Sequence, residues 1–105
     1  MNPLNTIGRE ARAINVDHGF TPPVQADWGD THKVPAFLGL IHSEVSEALE
    51  AFRRADLFNF QEELADIIIR TLDLGYGLAM DMDATVAKKM EENKTRPYTH
   101  GGKRL

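Results

Sequence analysis

The sequence predicts an all-α protein, a four-helix bundle in one domain of 105 residues. Three observations carry this. Apolar residues recur at spacings of three and four in successive stretches, the period of a helix that buries one face. Breaker residues gather between those stretches rather than within them. No stretch alternates apolar and polar residues over the length of a strand.

The first helix opens at Asn2-Pro3, with Asn2 as cap and Pro3 at its first position. Leu4, Ile7, Ala11 and Ile14 mark its inner face, and it ends by Gly19. Residues 17–34 hold Asp17, Gly19, Pro22, Pro23, Asp27, Gly29 and Asp30, and read as a long loop. Loops of that length are uncommon in compact domains and are often functional. Residues 1–34 thus form an N-terminal helix and its loop.

Thr31 or His32 precedes the second helix, whose apolar stripe is Phe37, Leu38, Ile41, Val45, Ala48, Leu49 and Phe52. Glu44 falls beside that stripe, Glu47 at its border and Glu50 on the far side. A carboxylate beside an apolar stripe needs a partner or a cation. Arg53 to Leu57 makes a turn. Asn59 with Glu62 suggests the capping box of a third helix, running to about Tyr76. Leu64, Ala65, Ile67, Ile68, Ile69, Leu72 and Tyr76 give it a wide apolar surface, predicting burial partly against a second subunit. Glu63, Asp66, Arg70 and Asp73 form a narrow polar stripe opposite that surface. Asp81 or Asp83 caps a fourth helix with Ala84, Val86, Ala87 and Met90 inside, and Pro97 stops it. Residues 97–105 are expected to form a flexible basic tail.

Composition bounds the function. Charged residues make up 27% and hydrophobic ones 42%, a normal globular balance. The net charge of −4 argues against general nucleic-acid binding. No cysteine is present, which excludes disulfide and thiolate chemistry and is compatible with a reducing cytoplasm. No stretch has the length and apolarity of a signal peptide or membrane span, and the expectation is a cytoplasmic protein with no membrane partner.

The chemistry gathers in two acidic pairs, Glu44-x-x-Glu47 and Glu63-x-x-Asp66, on consecutive helices. Residues three apart share a helix face, so each helix can aim two carboxylates at one point. Four converging carboxylates repel unless a cation lies among them, and hard divalent ions take oxygen ligands. A single such pair is ordinarily solvated surface; two on neighbouring helices are more specific. A di-iron site fits less well, since neither acid has a His three residues on. Lys89, Asn93 and Arg96 share a face of the fourth helix and suit phosphate oxygens and a sugar hydroxyl, or else form an ordinary basic helix end. Phe20 and Trp28 of the loop suit stacking on a flat ligand, or else Trp28 closes the core beneath the loop. His18, His32 and His42 lack metal-ligand spacing.

From about Trp28 to Lys103 the chain resembles the short MazG-like members of the all-α nucleoside triphosphate pyrophosphohydrolases. The resemblance rests on Ser43-Glu44-Val-Ser-Glu47-Ala-Leu-Glu50, on Glu62-Glu63-Leu-Ala-Asp66-Ile-Ile-Ile-Arg70 and on Lys88-Lys89-Met-Glu-Glu-Asn93-Lys-Thr-Arg96-Pro-Tyr. It implies Mg²⁺-dependent hydrolysis of a nucleoside triphosphate to monophosphate and pyrophosphate, with Mn²⁺ as a substitute ion. Glu44, Glu47, Glu63 and Asp66 would hold the metal, with Glu47 as base or bridging ligand. Lys89 and Asn93 would contact the nucleotide, Arg96 its phosphates and Trp28 its base. It also implies a dimer or a dimer of dimers with sites near subunit interfaces. Two alternatives stand beside it: a phosphoribosyl-ATP pyrophosphohydrolase-like enzyme, and a catalytically idle helical module that binds a nucleotide or a protein.

Overall fold

A computed structural model describes residues 2–96. It contains α1 (Pro3–Asp17), α2 (Lys33–Arg53), α3 (Leu57–Gly77) and α4 (Met82–Lys94), with a short 3₁₀ turn at Gln25–Gly29 and no strand among the described residues. The all-α expectation holds. The expected tail at 97–105 lies outside the described residues.

Helix α3 is the centre, with α1 and α2 packed against it. The close approach of α1 depends on Gly8. A Cβ at Gly8 would collide with the Leu72 carbonyl and lie 3.0 Å from the Tyr76 Cβ. The buried face of α1 is therefore Gly8, Ala11 and Arg12, while Ile7 and Ile14 are exposed. The expected Leu4–Ile14 face is rolled outward because the small residues allow the tighter contact. A small apolar cluster of Val34, Phe37, Leu74 and Leu78, with Ile41 against it, joins α2 to the end of α3.

Caps differ in detail from the sequence reading. Asp56, not Asn59, caps α3, accepting from the Asn59 amide at 3.0 Å. Asp30 steadies the start of α2 by accepting from the His32 and Lys33 amides at 2.7 and 3.0 Å, and those bonds hold its carboxyl below the usual range. Asp81 caps α4 through the Ala84 amide. Asn2 makes no side-chain cap. Asp83 of α4 does that work instead, accepting from the Leu4 and Asn5 amides at 3.0 and 2.8 Å. Asn5 returns the bond: its carbonyl accepts from the Met82 amide and its amide donates to Asp81. The starts of α1 and α4 thus satisfy each other's free N–H groups. No residue of α4 is buried, so its expected inner face finds no cover among the described residues.

Candidate functional site

Helix α2 buries Glu44 among Phe37, Ala48 and Ala51. That is the position the sequence singled out, and a carboxylate there needs compensation. Part of it comes from Arg70 of α3, whose Nε donates to Glu44 Oε1 at 3.0 Å. Arg70 was read on a polar stripe opposite a largely buried apolar surface, and the burial of those two faces is reversed. The stripe faces inward: Asp73 is 0% exposed, Glu63 and Arg70 are half-buried, and Leu64, Ile68 and Ile69 point outward. The physical reason is partnership. Arg12 donates through Nε to Asp73 Oδ1 and through Nη2 to the Asp73 carbonyl, and Asn15 donates to Asp73 Oδ2 at 2.7 Å. Arg12 Nη1 also holds the Pro22 carbonyl, tying the loop to the same network. With every polar atom matched, a buried ion pair is tolerated.

Along the same stripe, Glu63 and Asp66 meet Glu44. One carboxylate oxygen from each lies within 4.8 Å of the others, with Glu44 buried, Glu63 half-buried and Asp66 exposed. Glu63 Oε2 is buried with no hydrogen-bond partner. Its carboxyl is pushed up to about 7, first by sharing its proton with Glu44, then by burial and by the negative charge of Glu47. Acids gathered this closely disfavour one another's ionisation unless a cation lies among them. Glu47 is exposed and close enough to act on Glu63, but it is not one of the three converging ligands.

The other expected site residues are placed elsewhere. Trp28, on the 3₁₀ turn beside α2, is 69% exposed and does not close the core. Lys89 is bonded to Glu92 of its own helix at 3.1 Å, and Asn93 and Arg96 are exposed, with their described hydrogen bonds confined to α4 and its end. Met82 meets α3 at Gly75, about 13 Å along the helix axis from Asp66 at 1.5 Å per residue. Among the described residues no hydrogen bond or ion pair joins α4 to the acid cluster. His18, His32 and His42 are all exposed.

The sequence reading missed the roles of Arg12, Asn15 and Arg70. The signal for Arg70 was available: it follows Asp66 by four residues and Glu63 by seven, on one helix face. Arg12 carried no such mark, because its partner lies 61 positions away.

Fold and site together define an all-α protein with a carboxylate cluster suited to a divalent cation. No family model, no curated protein and no solved structure matches the chain. No described helix is long and apolar enough to cross a membrane.

Proposed function

We propose that the chain is a MazG-like, Mg²⁺-dependent nucleoside triphosphate pyrophosphohydrolase that works as an oligomer. The observation that carries the proposal is the convergence of Glu44, Glu63 and Asp66 with a buried, unpartnered Glu63 oxygen. An all-oxygen donor set of this kind fits Mg²⁺, with Mn²⁺ as substitute. The motif spacings quoted above support the choice of reaction.

Glu44, Glu63 and Asp66 would hold the ion, with Glu44 kept in place by Arg70. The ion supplies neutralisation and orientation of the triphosphate. Glu47, exposed and close enough to influence Glu63, would take the proton of the attacking water. Lys89, Asn93 and Arg96 would bind phosphate and sugar from the α4 of a second copy, since no described contact joins them to the acids of their own chain. Trp28 is free to stack on a base.

The test is pyrophosphate release across a panel of canonical and modified nucleoside triphosphates, with Mg²⁺ and with chelator. Glu63→Ala and Glu47→Ala are expected to lower release by about 100-fold or more, the usual scale for losing charge stabilisation or a general base. Full Mg²⁺-dependent release in either variant contradicts its assigned role, and no release from any substrate sinks the enzyme reading. One observation favours the idle-module alternative: Arg70 already gives Glu44 a cation. That reading predicts nucleotide binding without turnover under excess Mg²⁺.

A further inference from the structure

Arg70 does more in this geometry than neutralise Glu44. Its guanidinium carries five N–H donors, and the described bond to Glu44 uses Nε alone. The terminal nitrogens have no described partner, and the side chain is 38% exposed against 10% for Glu44. Arg70 also lines a cleft of about 400 Å³, walled by Phe20, Pro22, Lys33, Phe37 and Leu40. The cleft is mostly apolar with cations at its edge. Arg70 stands between this cleft and the acid cluster, bonded to one and lining the other. Lys89, assigned to phosphate from the sequence, is engaged differently, held by Glu92 of its own helix at 3.1 Å.

The geometry points to Arg70 as a substrate ligand supplied by the same chain. We infer that its Nε stays on Glu44 while its terminal nitrogens grip a phosphate of the bound triphosphate, whose nucleoside lies in the cleft of Phe20, Phe37 and Leu40. Arg presents a planar fork that matches phosphate oxygens in pairs. Glu44 keeps its second oxygen for the cation, and a hydrogen bond to a ligating carboxylate fixes its orientation. This inference rests on the triphosphate reading of the site.

The test separates Arg70 as a phosphate ligand from Arg70 as a prop for Glu44. Binding of α,β-imido nucleoside triphosphates is measured in Mg²⁺ for wild type, Arg70→Met, Arg70→Gln and Arg70→Lys. Binding of Mn²⁺ alone is measured by electron paramagnetic resonance. Arg70→Met is expected to weaken the triphosphate analogue by about 10- to 100-fold, the scale of a lost charge-assisted hydrogen bond. Arg70→Lys should recover part of that loss. Mn²⁺ alone should bind Arg70→Met at least as well as wild type, because a competing positive charge has gone. Should Arg70→Met lose its helical circular dichroism, Arg70→Gln carries the same expectations, since it keeps a donor for Glu44 without the charge. Unchanged analogue affinity overturns the inference. So does a loss that Mn²⁺ affinity follows in parallel, which would leave Arg70 as a prop alone. Wild-type protein that binds analogue and Mn²⁺ while Arg70→Met matches it defeats only this inference. Wild type that binds neither defeats the proposed function as well.

Discussion

At the scale of single residues, Glu63 and Asp73 show two ways of keeping a carboxylate away from water. Asp73 is matched atom for atom by Arg12 and Asn15. Glu63 is matched by nothing but other acids, so it holds a proton up to about pH 7. The sign of the consequence follows. The folded protein binds this proton more tightly than the unfolded chain, whose Glu63 titrates at an ordinary value of 4.5. The contribution of Glu63 to stability is present below about pH 4.5 and is lost as pH rises through about 7. In chelator, the difference in unfolding midpoint between Glu63→Gln and wild type should therefore widen in favour of the variant across that window. Mg²⁺ should reverse the order at pH 8 by binding wild type only. A difference independent of pH would mean that Glu63 is ionised throughout. Asp73 gives the opposite kind of test. Arg12→Met leaves its charge buried and unpaired, and urea denaturation should show a loss of about 3–5 kcal/mol. The sequence marked Glu44 correctly, because an acid beside an apolar stripe is a local anomaly. It did not mark Asp73, because its anomaly appears only when α1 is laid on α3.

At the scale of elements, three helix ends share one geometry. The amides of Phe20, Asp56 and Met80 reach back to the carbonyls of Asn15, Ala51 and Gly75. This is the Schellman arrangement, which places the preceding residue in the left-handed region. At Gly19, with φ +86°, that conformation carries no side-chain penalty; at Ala55 and Ala79, with φ 57° and 60°, it does. Ala55→Gly is expected to stabilise the protein by about 1 kcal/mol, since relief of the left-handed strain exceeds the added chain entropy. An unchanged or lowered urea midpoint would show that the Ala55 side chain makes up the difference. The ends of α1 and the starts of α2 and α4 were legible to within a residue or two, because breakers and caps act locally. The start of α3 was misplaced from Asp56 to Asn59, since both residues can cap and only the backbone decides. Its orientation was inverted for a different reason. Leu64, Ile67, Ile68, Ile69, Leu72 and Leu74 surround most of α3, so hydrophobic period alone does not say which side meets α1 and α2. The salt bridges from Arg12 and to Glu44 decide it.

At the scale of the molecule, the same inversion leaves apolar surface uncovered. Among the described residues, eight hydrophobic side chains are buried, while Leu64, Ile68 and Ile69 of α3 and Val45, Leu49 and Phe52 of α2 are all more than 40% exposed. A chain this short has little core to spare, and stripes of large aliphatic and aromatic residues on two adjacent helices are what an obligate interface buries. The proposed chemistry makes the same demand from the other side. The acid cluster lies on α2 and α3, no described hydrogen bond or ion pair joins it to α4, and in the proposed reading a second copy supplies the α4 cations. Association and activity should therefore fall together. Sedimentation equilibrium is expected to show a dimer or tetramer, with an unfolding midpoint that rises with protein concentration. Leu49→Glu with Ile68→Glu should reduce the mass to that of a monomer, keep Mn²⁺ binding at Glu44, Glu63 and Asp66, and abolish pyrophosphate release. Mixing that variant with wild-type chains should not restore it. A wild-type monomer that releases pyrophosphate at full rate would refute the contribution of α4 in trans. It would leave Arg70 and Lys33, on the chain that holds the acids, as the cations that face the phosphates.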